Sequence, residues 1–251
     1  MHENNENLET AFTNAGLQAA CSQCNLRELC LPLGLSEGEL SHVDTLIGKR
    51  HKVVRGESIF RIGDHFGAIY AVKTGFFKTE MLTEDGHHQV TGFQMAGEIF
   101  GMDGISTEVH NCDAIALEDS EVCLMPFGEL EALSMQIPSL QRHLHKIMSR
   151  EIVRDQGMMM LLSTMRAEAR VAAFLMNLSQ RFAARGYSPV EFHLRMSREE
   201  ISSYLGLKIE TVSRAFSHLR DASLLEVDKK HIRLLDILAL KALLNTPACH
   251  S

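Results

Sequence analysis

Three of the six cysteines, Cys21, Cys24 and Cys30, fall within ten residues, while Cys112, Cys123 and Cys249 are scattered along the chain. A thiolate is a metal ligand and a redox centre, so the spacing C-x2-C-x5-C is the first feature with chemistry in it. A lone C-x-x-C suits a redox pair or a zinc knuckle. Redox chemistry of the thioredoxin kind expects a surrounding βαβ pattern, and a structural zinc site usually shows two close pairs. Three clustered thiols need one distant partner to make the four-thiolate set common for iron–sulfur clusters, although neither familiar ferredoxin spacing is matched. The residues alone favour a cluster over zinc and place structural or unpaired cysteines third.

The elements that must position these thiols follow from composition. With 251 residues, 45% of them hydrophobic, the chain has material for two modest cores or one large one, which excludes disorder. No apolar run reaches the roughly 18 residues of a membrane span. Residues 1–20 carry Glu3, Glu6 and Glu9 and no basic residue, the wrong charge for a secretory signal, so a cytoplasmic protein with reduced cysteines is expected. From His51 to Pro126 short β-branched and aromatic runs alternate with turns, and nine of the seventeen glycines lie between Gly56 and Gly104, a rhythm that suggests a small antiparallel barrel or jelly roll. Asp85-Gly86, between runs over 77–82 and 89–93, reads as a hairpin turn.

From Pro138 the pattern is that of a long helix. Met148, Ile152, Asp155, Met159 and Leu162 are spaced 4-3-4-3, a coiled-coil seam, and Leu140, Leu144, Ile147, Met158, Leu161 and Met165 form an adjoining stripe. Such a helix has two apolar contacts to make. A second helix is expected over 167–184, ending before Gly186. Beyond Pro189, residues 190–196 alternate as a half-buried strand. Ser197 is placed to cap a helix running to Leu205, Gly206 makes a turn, and a further helix runs from about Ile209 to Arg220. In that helix Val212, Phe216 and Leu219 fall within about 60° of one another, while Glu210, Ser213, Arg214 and Ser217 occupy the opposite face. A hairpin pairing 225–227 with 231–234 across Asp228-Lys229-Lys230 completes the unit. A helix, a glycine turn, a second helix with a free polar face and a basic hairpin read as a helix-turn-helix, the alternative for that face being a merely solvated one. Its second helix would enter the major groove, where Arg can bond to guanine and Glu can accept from cytosine. Residues 197–233 hold seven Lys and Arg against six Asp and Glu, hence +1 in a chain of net charge −7. Specific contacts and dimerisation, more than bulk charge, would then set affinity.

A barrel, a long helix and a reader carrying Glu210-Thr211-Val212-Ser213-Arg214 resemble the CRP/FNR superfamily of bacterial transcription regulators, and the clustered cysteines resemble its oxygen-sensing FNR branch. Thr91-Gly92-Phe93, Gly97-Glu98, Val122-Cys123-Leu124-Met125-Pro126-Phe127, Arg181-Phe182-Ala183 and Ser202-Ser203-Tyr204-Leu205-Gly206-Leu207 are similar to signatures of that branch. The implied fold is α+β: a cyclic-nucleotide-binding-like jelly-roll barrel, a dimerisation helix and a C-terminal winged helix-turn-helix. The expected divisions are a tail over 1–20, a cluster-binding segment and sensor barrel over 21–137, a dimerisation helix over 138–165, a DNA-binding domain over 166–244 and a tail over 245–251.

The same resemblance implies an oxygen-labile [4Fe-4S] cluster held by Cys21, Cys24, Cys30 and, from its context before Pro126-Phe127, Cys123. Cys112 has no counterpart. Nucleotide-binding members carry an Arg-Ser pair for the cyclic phosphate where this chain has His110 and Asn111, so no cAMP is expected. No histidine stands out as a haem ligand. In a homodimer the seam would bring Asp155 against its twin, and cluster binding would offset that repulsion so that two readers reach a palindrome related to TTGAT-N4-ATCAA. Glu210, Ser213 and Arg214 would read it. Ser197 and Lys208 count among the DNA-binding residues, Lys208 standing where close relatives often have a capping Thr. The turn Glu84-Asp85-Gly86 resembles a contact to RNA polymerase. The alternative is a zinc- or other ligand-responsive regulator without redox sensing. An enzyme is not expected, for there is no P-loop, no G-x-G-x-x-G and no recognisable Ser-His-Asp arrangement.

Overall fold

A computed structural model of the chain describes residues 21–26, 29–30, 34–47, 50–83 and 86–244. The two expected tails, Cys249, Glu84 and Asp85 lie outside the described residues. The chain divides into two units, one running to Met81 and resuming over Gly92–Ser149, the other comprising Leu82–Thr91 and the chain from Arg150 onward.

The first unit begins with a helix, α1 (Glu37–Ile47), followed by eight strands: β1 (Arg50–Val53), β2 (Ser58–Phe60), β3 (Ala68–Thr74), β4 (Phe76–Leu82), β5 (His88–Met95), β6 (Ile99–Phe100), β7 (Asp113–Ala116) and β8 (Ser120–Pro126). They form two four-stranded sheets in the orders β1-β8-β3-β6 and β2-β7-β4-β5, the jelly roll that the glycine rhythm suggests. The two-residue period of a strand decides which core each side chain joins. Along β3, Ala68, Tyr70 and Val72 point between the sheets with Phe60, Phe77 and Phe100. Ile69 and Ala71 point the other way, toward α1 and toward the helices that follow β8, α2 (Phe127–Gln136) and α3 (Pro138–Thr164). Both faces of β3 are therefore buried. Its pairing with β8 slips between Val72 and Thr74, so Lys73 is the extra residue of a β-bulge.

Pro138 opens α3, where a proline costs no hydrogen bond. Leu140, Leu144 and Ile147 are buried against the barrel side, and beyond them the helix loses its cover: Ile152, Val153, Met159 and Met160 are exposed large apolar side chains.

The second unit contains the end of α3, then α4 (Ala167–Ala183), β9 (Glu191–His193), α5 (Arg198–Tyr204), α6 (Ile209–Asp221), β10 (Leu225–Asp228), β11 (His231–Leu234) and α7 (Ile237–Leu244). The strand expected over 190–196 is shorter, since only three residues pair with β11, yet Phe192, Leu194 and Met196 remain buried in alternation. The wing also differs from expectation. Asp228 pairs with His231, so the turn is Lys229-Lys230 alone, closed by a left-handed Lys229 at φ 55. Arg170 on α4 ties the unit together, donating from Nε to Met165 O (2.9 Å), from Nη1 to Leu205 O (3.1 Å) and from Nη2 to Leu162 O (2.5 Å). These carbonyls lie at the C-termini of α3 and α5, where orphan acceptors attract a cation.

Candidate functional site

The N-terminal cysteines sit on a run of turns. Cys24 N donates to Cys21 O (3.1 Å), and Leu29 N and Cys30 N both donate to Leu26 O (2.9 and 3.1 Å). Asp44 of α1 holds the start of this loop: its carboxylate accepts from Cys21 N, from Ser22 N (3.3 Å) and from Ser22 Oγ (2.7 Å). Farther along, Leu29 packs on Gly97, where an added Cβ would stand 3.0 Å from the Leu29 Cβ. Gly97 has φ 86, so a side chain there would be both strained and in the way.

The fourth thiol comes from β8. Val122 points between the sheets, and the strand period turns Cys123 to the opposite side, toward the loop. Cys21, Cys24, Cys30 and Cys123 all line one small cavity, part of it open to solvent. Cys112 is elsewhere, buried between the sheets with Phe60 and Tyr70. Burial pushes the Cys21 thiol far up, and the neighbouring Cys30 and Cys123 push the same way. Burial also raises Cys123, with Arg50 pulling against it. Four thiolates this close therefore need a positive centre among them to ionise together.

That donor set fits a soft metal or a cluster. A tetrahedral zinc site brings its sulfurs within about 3.8 Å of one another, given a zinc–sulfur bond of about 2.3 Å. Among the described residues, no three His, Cys, Asp or Glu side chains are grouped closely enough to hold a single metal ion. The four cysteines on this lining offer sulfur ligands to a metal centre.

His110 and Asn111, which stand where an Arg-Ser pair is expected in nucleotide-binding members, are both held by contacts within the barrel unit. His110 is buried, its ring stacked on Phe60 with centroids 3.7 Å apart, and its Nδ1 lies 3.2 Å from Asp103 Oδ1. Asn111 N donates to Asp103 Oδ2 (2.7 Å), and Asn111 Nδ2 donates to Asp103 O (2.9 Å) and Thr107 Oγ1 (3.0 Å).

In the second unit Ser197 caps α5 through a capping box: its Oγ accepts from Glu200 N (3.1 Å) and its own N donates to Glu200 Oε2 (2.7 Å). Gly206 makes the turn at φ 59. Val212, Ala215, Phe216 and Leu219 bury one face of α6, while Glu210, Ser213 and Arg214 are exposed together on the other. Lys208 stands at the N-cap of α6 and makes no side-chain cap, as its chemistry requires. On α3, Ile152, Asp155 and Met159 are exposed, and Met148 and Leu162 are half-buried. Gly86, next to the undescribed Glu84 and Asp85, has φ 81 and donates to Thr83 O (2.9 Å). Two residues at the cysteine cavity, Asp44 and Lys73, carry no signal in the sequence, because nothing in their own neighbourhood marks them.

The chain thus combines a jelly roll, a long helix and a helix-turn-helix. Residues 50–136 match the family profile described as a cyclic nucleotide-binding domain, and residues 169–243 that of a Crp-like helix-turn-helix domain. The transcriptional regulatory protein btr of Bordetella pertussis is 45% identical over 92% of this chain and 96% of its own. The fumarate and nitrate reduction regulatory protein of Yersinia pestis is 41% identical over 93% of this chain and 94% of its own. Among solved structures, FixK2 from Bradyrhizobium japonicum superposes with a TM-score of 0.72 at 30% identity, covering 78% of this chain and 96% of that one. The chain belongs to the CRP/FNR family of transcriptional regulators; it is a DNA-binding regulator and not an enzyme. No helix among the described residues is long and apolar enough to cross a membrane.

Proposed function

We propose that this chain is an oxygen-responsive regulator of anaerobic metabolism, in which Cys21, Cys24, Cys30 and Cys123 hold a [4Fe-4S] cluster. The observation that carries this reading is the convergence of those four thiols on one cavity. When bound, the cluster supplies an oxygen-labile link between the cysteine loop and β8. With that link, Cys123 would hold the loop to the sheet beside α1; without it, the hydrogen bonds of Asp44 to Cys21 and Ser22 and of Lys73 to Cys24 and Asn25 remain. Met148, Ile152, Asp155, Met159 and Leu162 then form the seam of a homodimer, and the exposed Ile152 and Met159 support it, since apolar side chains in a row call for a partner. Glu210, Ser213 and Arg214 read the bases of a TTGAT-N4-ATCAA-type palindrome, with Lys208 and Ser197 at the phosphate backbone. The turn at Glu84, Asp85 and Gly86 touches RNA polymerase. The satisfied hydrogen bonds of His110 and Asn111 favour a barrel that takes no cAMP, because a cyclic phosphate would have to displace them.

The test is anaerobic absorption with iron and sulfide analysis of the wild type, Cys123→Ala and Cys112→Ala, followed by mobility shift on the palindrome with and without air. Wild type and Cys112→Ala should carry the cluster and bind DNA only without air, and Cys123→Ala should do neither. A cluster that survives in Cys123→Ala and is lost from Cys112→Ala would move the fourth ligand. A colourless wild type containing zinc would leave the regulator and remove its redox response.

A further inference from the structure

The cysteine cavity has apolar walls from Leu26, Ile47, Ala71 and Val72 and, among the described residues, a single charged lining residue, Lys73. Lys73 is aimed there by the backbone. In a regular strand it would alternate with its neighbours on β3; instead it is the extra residue of the bulge between Val72 and Thr74, a device that redirects one side chain. The bulge is held from its other edge, where Val72 N donates to Glu98 O (2.9 Å) and Gly97 N donates to Val72 O (2.8 Å). From this position Lys73 Nζ donates to Cys24 Sγ at 3.2 Å and to Asn25 Oδ1 at 3.0 Å. Cys24 thus meets a fixed ammonium before any metal arrives.

We propose that Lys73 is a positioning residue for the metal centre: its ammonium orients the Cys24 sulfur and offsets negative charge in the cavity, which makes the centre harder to oxidise. The inference rests on the cluster reading above. Oxidation of such a centre by dioxygen, one electron passing to give superoxide, would leave the site one unit more positive. A cation held within hydrogen-bond reach of a ligand sulfur opposes that step, and hydrogen bonds to the sulfurs set cluster potentials. Arg50, the register partner of Cys123 across β1 and β8, has a buried Nε with no hydrogen-bond partner among the described residues. It supplies a second cation on the Cys123 side, so removing Lys73 should weaken the protection without abolishing it.

The experiment uses the full chain reconstituted anaerobically with ferrous iron and sulfide, as wild type, Lys73→Met and Lys73→Arg. Iron and sulfide per chain, the oxidation potential, and the decay of visible absorbance after mixing with air-saturated buffer are measured. Lys73→Met should load normally, oxidise at a lower potential and bleach about five-fold faster, the effect of one charge about 4 Å away in a well-solvated site. Lys73→Arg should stay close to the wild type. If Lys73→Met cannot retain iron while Lys73→Arg does, the charge is needed for holding as well, which also supports the assignment. A loaded Lys73→Met that bleaches like the wild type overturns it, as does a Lys73→Arg variant that fails alongside Lys73→Met. A wild type that takes up neither iron nor sulfide sinks the cluster reading itself, and this inference with it.

Discussion

Cys123 and Cys112 are eleven residues apart in a chain of alternating strands, and what separates their chemistry is the face each one takes. Cys123 looks out of the barrel toward three other thiols; Cys112 looks in, where burial and the adjacent Asp103 carboxylate push its thiol up and keep it protonated. Asp103 is the hub of that interior. Burial alone would raise its carboxyl, but the hydrogen bonds from His110 and Asn111 outweigh burial and hold it below its ordinary value. A carboxylate whose acidity is increased by folding contributes stability above its unfolded pKa, about 3.9, and loses it as pH falls through the lower folded value. The groups facing Asp103 are His110, Asn111 and Cys112. Asp103→Asn should therefore be less stable than the wild type at pH 5, by about 2 kcal/mol for a hydrogen-bonded charged group. In urea titrations the gap should narrow toward pH 3.5. A gap of equal size at both values would show that Asp103 acts by shape and not by charge.

Among the elements, α3 changes character along its length. Its first half is buried by the barrel, whereas Ile152 and Met159 stand exposed with Asp155 between them in sequence. Coiled-coil spacing puts Asp155 in line with these apolar residues, so in the proposed dimer two carboxylates would come together. Two like charges about 4 Å apart repel by roughly 1 to 4 kcal/mol between bulk water and a protein surface, enough to change a dimer constant about five-fold or more. Asp155→Ala should sediment as a dimer in air, where the wild type should be a monomer; an aerobic monomer for the variant would rule the seam argument out.

The same element shows what a sequence can express. Periodicity carries α3 and α6, because a one-sided helix writes its face into residue spacing, and Ser197 marks the start of α5. Short elements were harder. Helices α1 and α2 were not anticipated, and β9 proved shorter than the alternation of residues 190–196, because buried alternation persists where pairing has ended. The cysteine quartet was legible only in part: three thiols announce themselves by proximity, but the fourth depended on its resemblance to a family context. Asp44 and Lys73 were invisible, since one acts across 23 residues and the other through a bulge, which leaves no mark in composition.

For the whole molecule, a net charge of −7 with a reader of only +1 means that little affinity comes from bulk attraction to phosphate. In the proposed reading each reader offers Glu210, Ser213 and Arg214 to the bases, and a good pair contributes about 1 to 3 kcal/mol of discrimination. One reader is then too weak to find a site among many competitors, and specificity must come from two acting at once. Two readers related by a homodimer axis address half-sites about one turn, roughly 34 Å, apart on one face of the duplex. Inserting five base pairs between the halves of the palindrome turns one half-site to the far side while leaving every base contact available to a single reader. Under anaerobic conditions the affinity should fall toward the nonspecific level, a loss of about 1,000-fold or more, in a mobility-shift titration at fixed salt. Lengthening the site without loss would mean that each chain reads alone, and the pairing of α3 would then have no part in recognition.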